Sequence, residues 1–124
     1  MSSLHRTLDG DVLIHHLDRD ELTIDPALLA RTGRSSRTLI KEGALRVVIM
    51  ALAADGELPG HRTNGPVTIH VLEGHVRFRA LGGEYALATG DVLAFAAGVE
   101  HSAYSDSGSV FLLTVVHLDP AAAD

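Results

Sequence analysis

The chain has 124 residues, of which 46% are hydrophobic and 21% are charged, as expected for one globular domain. Sixteen acidic and ten basic residues give a net charge of −6, and no block of Lys or Arg is present, which argues against a nucleic-acid or anionic-membrane partner. The chain contains no cysteine, which excludes disulfides, cysteine-ligated metals and a cysteine nucleophile. No apolar run approaches the ~18 residues of a membrane span, and the first residues do not resemble a secretory leader. We therefore expect a soluble, cytoplasmic protein of bacterial type.

Residues 1–37 are more polar and less regular than the rest and are predicted to form an amino-terminal extension. A short apolar run at residues 12–14 predicts an edge strand in this extension. Asp25 is a good helix N-cap, a proline follows it at the position that suits a first helical residue, and Gly33 is typical of a helix end. A short helix is therefore predicted near residues 26–32.

Residues 38–118 consist of short runs rich in Val, Ile, Leu, Thr and Phe, separated by Gly, Asp or Pro. Several runs alternate apolar and polar residues, as in residues 75–80, which is the period of a half-buried strand. This spacing predicts an all-β antiparallel sandwich or barrel, followed by a tail at residues 119–124. The predicted strands are residues 38–40, 44–54, 67–73, 75–80, 84–89, 91–96, 101–105 and 109–118.

The chain has eight histidines, and two of them stand out. His61 and His101 each lie at the end of a predicted strand beside a glycine-rich turn, where side chains from different strands can converge. Neutral imidazoles in such a place can bind a metal ion, accept a hydrogen bond or act as a general base. The histidines interpreted as solvated or packing residues are His5, His15, His16, His75 and His117.

Two segments carry a family resemblance. The segment from Asp55 to Gly74 (DGELPGHRTNGPVTIHVLEG) resembles the first motif of the cupin superfamily, and the segment from Gly90 to Ser105 (GDVLAFAAGVEHSAYS) resembles its second motif. The resemblance covers residues 38–117. It implies an RmlC-like, cupin-type jelly-roll β-barrel of about six to eight strands, as in small single-domain bacterial cupins.

The departures from the cupin pattern bear on function. A typical cupin holds a metal with two histidines and a glutamate from the first motif and one histidine from the second. Here His61 and His101 occupy the first and last of these positions, but Thr63 replaces the second histidine and Val67 replaces the glutamate. Valine donates no ligand atom, and a first-row metal usually has at least three protein donors. The resemblance thus implies an incomplete centre, with His61 and His101 as the only candidate metal ligands in this pattern.

His70 is the residue nearest in sequence that would restore the ligand count. Strand alternation places it on the face opposite Val67 and Ile69 unless a bulge intervenes. We therefore predict that His70 packs outward, at a contact between sheets or subunits.

These observations favour a cupin whose barrel cavity binds a small organic molecule, because the loss of ligands converts a metal cage into a mixed apolar and polar wall. The alternative is a metal-dependent enzyme of the dioxygenase, isomerase or lyase type, with Fe, Mn, Ni or Zn on the two histidines and with Tyr104 or Glu100 as a proton carrier. The fold alone does not decide between them. The predicted ligand-binding residues are His61, Thr63, Val67, Ile69, His101 and Ala103.

The run from Ala44 to Ala54 is nearly continuous in Val, Ile, Met, Leu and Ala. A strand of this composition is typically buried on both faces. In a small barrel a second subunit can supply the outer cover, so we expect a homodimer.

Overall fold

The structure is a computed structural model that describes residues 11–17 and 25–118. It contains one short helix and eight strands, and it confirms the all-β class and the short helix expected from the sequence. The elements are α1 (Pro26–Thr32), β1 (Arg34–Glu42), β2 (Leu45–Leu52), β3 (Gly56–His61), β4 (Val67–Ala80), β5 (Gly83–Ala88), β6 (Val92–Phe95), β7 (His101–Ser105) and β8 (Ser109–Val116).

The strands pair antiparallel in the order β1-β2-β8-β4-β7-β3, with β5 and β6 also paired to β4. Two sheets result. Sheet A contains β1, β2, β8, β6 and the first half of β4, and sheet B contains β3, β7, β5 and the second half of β4. The long strand β4 therefore joins the two sheets, which face each other as a curled jelly-roll barrel.

The inward side chains of both sheets form one apolar core. Three phenylalanines lie at its centre, with Phe78 5.7 Å from Phe111 and 6.1 Å from Phe95 between ring centroids. Phe78 and Phe111 have no exposed surface. The buried members of the core are Leu52, Val67, Ile69, Val71, Val76, Phe78, Ala80, Phe95, Ala103, Phe111 and Leu113.

The predicted edge strand at residues 12–14 was wrong. This segment has no regular secondary structure, and the side chains of Val12 and Ile14 are 72% and 68% exposed. The contact with β1 is made by a side chain instead, because His15 Nε2 donates to the carbonyl of Leu39, 2.9 Å away, where β1 carries a bulge. The remainder of the extension at 1–10, which includes His5, and at 18–24 lies outside the described residues, as does the tail at 119–124.

Strand prediction failed at β3, at the middle of β4 and at the start of β1, which was predicted at 38–40 but begins at Arg34, inside the predicted extension 1–37. The sequence of β3, GELPGH, contains two glycines and a proline and was not counted as a strand. It forms at the end of the strand path, where Pro59 costs no ladder hydrogen bond within the sheet. The separate strands predicted at 67–73 and 75–80 are one strand of 14 residues with a bulge between Val71 and Glu73.

The apolar run of β2 contributes to both faces of sheet A. Met50 and Leu52 belong to the core side, whereas Ile49 and Ala51 alternate to the outer face and are nevertheless 0% and 3% exposed. Within the part of the chain that the structure describes, no helix is long and apolar enough to cross a membrane.

A matched pair of glycines in β3 tests the packing. A Cβ on Gly56 would lie 2.4 Å from the carbonyl oxygen of Gly33, which is backbone and cannot swing away. A Cβ on Gly60 would meet only Glu100 Oε2, at 2.8 Å, on a flexible side chain. We expect Gly56→Ala to lower the free energy of unfolding by about 1–3 kcal/mol and Gly60→Ala by less than about 1 kcal/mol, as measured by urea denaturation. Equal losses would contradict this account of β3.

Candidate functional site

His61 and His101 meet at one end of the barrel. His61 is the last residue of β3, His101 is the first residue of β7, and the two are paired across the strands. The register shifts between Leu58 and His61, so that β3 bends through Pro59 and Gly60 before it reaches the pair. The imidazole centroids are 4.4 Å apart, with an angle of 63° between the ring planes.

His101 is held in a defined orientation inside the barrel. Its side chain is buried, and its ring stacks on Phe95 with centroids 4.6 Å apart and planes 10° from parallel. Its Nδ1 lies 3.0 Å from the carbonyl oxygen of Val99, which can only accept, so Nδ1 carries the proton. Burial lowers the pKa of His101, and the neighbouring His61 lowers it further, against the opposing effect of the Val99 carbonyl. His101 is therefore neutral at physiological pH, with Nε2 as an acceptor.

His61 shares this hydrogen-bond arrangement but is exposed. Its Nδ1 donates to the carbonyl oxygen of Pro59, 3.2 Å away. Both rings thus use Nδ1 on a backbone carbonyl two residues earlier, which leaves both Nε2 atoms available to a ligand. The sequence indicated the two histidines but not this common tautomer.

A groove of about 650 Å³ adjoins His101 at this end of the barrel. We call it the mouth groove. Its rim carries an ion pair between Arg62 and Glu100, with 2.9 Å between the charged atoms, and the lack of a side chain at Gly60 leaves room for the Glu100 carboxylate. It is lined by Gly60, Arg62, Arg79, Ala80, Leu81, Gly82, Ala97, Gly98, Val99, Glu100, His101 and Ser102.

Sequence reasoning missed several of these lining residues. Arg62, Arg79 and Ser102 lie on strand ends or outward strand positions, where a polar residue carries no distinguishing signal. Leu81 stands at the tip of the β4–β5 turn with φ +53° and is 86% exposed. A large apolar residue in this left-handed conformation is unusual, but only the structure reveals the backbone angle.

The other four residues predicted for the ligand site are distributed differently. Val67, Ile69 and Ala103 are buried in the apolar core. Phe95 connects this core to the histidines, because its ring stacks on His101 while its backbone pairs with Val67. Thr63 lies between β3 and β4, half-buried, and its hydroxyl donates to the carbonyl of Gly65, 2.7 Å away.

Two further candidate site residues, His70 and Tyr104, lie on outer faces of the barrel, away from His61 and His101. His70 is exposed on the outer face of sheet A, between Val92 and Leu112. Tyr104 alternates to the outer face of sheet B and donates to Asp55 Oδ1 at 2.6 Å, and this hydrogen bond raises its pKa. The assignment of Tyr104 as a proton carrier for the histidine pair was therefore wrong, because residues one and three positions apart on a strand point to opposite sides.

The donor set does not fit a complete first-row metal centre. Among residues 11–17 and 25–118 no group of three or more His, Cys, Asp or Glu side chains is placed to hold a metal ion. Val67, at the position where the cupin pattern has its carboxylate, is 2% exposed within the core. Two imidazoles alone give modest metal affinity.

Residues 48–117 match the family described as the Cupin domain. This chain belongs to the cupin family. A conserved protein of unknown function from Streptococcus pyogenes, SPY1581, superimposes on this cupin with a TM-score of 0.73 at 23% identity, over 92% of this chain and 96% of that one. An RmlC-like cupin from Shewanella frigidimarina gives 0.70 at 19% identity, over 88% and 96%.

A mutant of salicylate 1,2-dioxygenase from Pseudoaminobacter salicylatoxidans gives a TM-score of 0.64 at 18% identity, over 68% of this chain and 26% of that one. At these identities the similarity establishes the fold and carries no information about substrate. No curated protein matches the sequence.

The lowered pKa of His101 predicts a pH-dependent stability. Because the unfolded chain binds this proton more readily than the folded one, the stabilisation is complete above about pH 6.5 and decreases as the pH falls through that value. We expect His101→Gln to reduce the dependence of the unfolding free energy on pH between about pH 7.5 and pH 5, as followed by denaturant titration at each pH. The exposed His75 provides the control, and His75→Gln should retain the wild-type slope. A wild-type slope in His101→Gln would refute the assignment.

Proposed function

We propose that this cupin binds a small organic molecule at the barrel mouth, where His61 and His101 act as paired hydrogen-bond acceptors. The observation that carries the proposal is the buried, neutral His101, whose Nδ1 is committed to Val99 and whose pKa is lowered by burial. A buried acceptor of this kind favours a partner that brings an O–H or N–H group.

The mouth groove beside His101, which His61 does not line, supports a polar ligand with an apolar part. The mouth groove has the volume of a small-molecule site, for which about 300–1,000 Å³ is usual. Arg62 supplies a donor at its rim, and Leu81 and Val99 supply apolar surface. Arg79 and Ser102 line its outer part, because they alternate away from the side of the barrel that holds His101. In this proposal Val67, Ile69 and Ala103 form the apolar base behind the histidines, and Thr63 lies beside them on the β3–β4 connection.

A second candidate is a metal-dependent cupin enzyme of the dioxygenase, isomerase or lyase type. One observation favours it: a metal-ligating histidine commonly donates its other ring N–H to a backbone carbonyl, as His61 and His101 both do. The proposal takes the metal-free form because the described residues supply only these two donors.

Metal analysis separates the two candidates. We expect untagged protein, purified without a nickel column, to retain less than about a tenth of an equivalent of Fe, Mn, Ni or Zn by plasma mass spectrometry, because two imidazoles bind weakly. The double variant Thr63→His with Val67→Glu restores the cupin ligand pattern and should gain metal. About one equivalent in the wild-type protein, lost in His61→Ala, would instead favour the enzyme.

A metabolite screen tests the ligand itself. Compounds that bind the mouth should raise the melting temperature of the wild-type protein, and we expect His101→Gln to lose most of this shift, because the acceptor is removed from a desolvated position. The exposed His117 is the matched control, and His117→Gln should respond as the wild type does. Equal responses of all three proteins would place the ligand elsewhere.

We also propose that the protein is a homodimer joined through the outer face of sheet A. Support comes from the apolar character of this face, where Ile49 and Ala51 of β2 are followed by half-buried Val110 and Leu112 of β8. Val92, on β6 of the same sheet, is 65% exposed. A second copy would cover the exposed Val92 and the half-buried Val110 and Leu112, whereas Ile49 and Ala51 are already buried within one chain.

Sedimentation tests the dimer. We expect wild-type protein to sediment as a dimer at micromolar concentration and Val92→Lys to shift it toward monomer, because a lysine on an apolar interface must be desolvated. Val92 is exposed in one chain, so folding should be little affected. Leu81→Lys alters an equally apolar exposed residue at the barrel mouth and should leave the dimer intact. A wild-type monomer would refute the proposal.

A further inference from the structure

A second concave site lies on the side of the barrel, away from the histidines. It is a groove of about 480 Å³ between α1 and the two edge strands β1 and β3, and we call it the helix pocket. None of its lining residues lines the mouth groove. They are Leu28, Thr32, Arg34, Ser35, Ser36, Met50 and Leu58.

We propose that the helix pocket binds a small amphipathic monocarboxylic acid, with its apolar chain inside the pocket and its carboxylate on Arg34. The volume is that of a small-molecule site. We choose an amphipathic acid because the base of the pocket is apolar and because Arg34 at its rim carries a positive charge that no described carboxylate neutralises.

The wall that α1 forms is fixed to the barrel. Asp25 caps the helix by accepting from the amides of Ala27 and Leu28, at 3.0 and 3.2 Å. At the other end Gly33 adopts φ +80°, and its carbonyl accepts from the amide of Ala53 at 3.0 Å. Because both ends of this short helix are satisfied and its last turn is bonded to the barrel, the pocket is a built feature of the fold.

The base of the pocket is apolar. Met50 and Leu58 are half-buried side chains that pack against the core, one from each sheet. Leu28 adds a half-buried apolar side chain from α1. An alkyl or aryl group placed here would be removed from water without displacing a charged group, which favours binding.

The rim carries Arg34, whose charge is not neutralised within the described residues. Its guanidinium makes one long hydrogen bond, 3.4 Å, to the carbonyl of Glu57, and it forms no ion pair with another described residue. By contrast, Arg62, Arg77 and Arg79 each lie 2.9–3.2 Å from a carboxylate. A ligand carboxylate would complete the same arrangement at Arg34, since a guanidinium fork matches the two carboxylate oxygens.

The methyl group of Met50, which lines the helix pocket, serves as the spectroscopic probe of binding. The protein has two methionines, Met1 and Met50, so labelling methionine methyl groups with ¹³C gives two signals, of which one belongs to the pocket. Octanoate is the ligand, and 1-octanol is the matched compound without charge. We expect octanoate to shift the Met50 signal saturably near pH 7.5 and to bind roughly tenfold more tightly than octanol, as one charge-assisted hydrogen bond provides.

Variants of Arg34 and Leu28 show which residue contacts the carboxylate and which contacts the apolar chain. Arg34→Gln should weaken octanoate binding roughly tenfold and leave octanol unchanged. Arg31→Gln is the matched control, because Arg31 lies on exposed α1 outside the pocket, and should bind octanoate as the wild type does. Leu28→Trp fills the pocket from its outer wall and should abolish the shift. The dispersed Met50 signal verifies that each variant is folded.

Three results would overturn the proposal. The Met50 signal does not move, or octanol binds as tightly as octanoate, or Arg34→Gln binds octanoate as tightly as the wild type. A shift of the His101 ring signals with a stationary Met50 signal would place the acid in the mouth groove and would likewise exclude the helix pocket.

Discussion

The architecture depends on one strand that belongs to both sheets. β4 pairs with β6 and β8 through its first half and with β5 and β7 through its second half. Its inward residues have odd numbers up to Val71 and even numbers from Val76, because the bulge after Val71 inserts one extra residue. Without that residue, one half of the strand would present Arg77 and its neighbours to the core. The bulge therefore sets which side chains every neighbouring strand meets.

Much of this fold follows from local pattern, and the exceptions have physical causes. The alternation in β4 and the caps of α1 are visible in the sequence, because each reflects short-range geometry. β3 was not visible, since its composition is that of a turn and it is a strand only through pairing with β7. Residues 12–14 show the reverse case. Their strand propensity finds no backbone partner among the described residues, and the side chain of His15 contacts β1 instead.

Like the fold, the candidate site was predictable where local pattern decides it and hidden where long-range contacts decide it. The cupin pattern located His61 and His101 and showed that Val67 cannot bind metal, since both conclusions need only position and side-chain chemistry. It did not reveal the stacking of Phe95 on His101, which arises where β6 and β7 converge from different sheets. Arg34 was equally hidden, because an arginine is notable only when the surrounding carboxylates are known. Long-range proximity is the information that one sequence does not contain.

The two edge strands, β1 and β3, also determine how readily copies of the molecule aggregate through their sheet edges. An open β-edge offers unpaired amides and carbonyls to any other strand, which is how folded β-proteins begin to form fibres. Here β3 carries Pro59, which has no amide to offer, and on β1 the carbonyl of Leu39 at the bulge is already bonded to His15. Copies of this barrel are thereby discouraged from joining edge to edge into an extended sheet, which leaves contact between faces, as in the proposed dimer, unopposed.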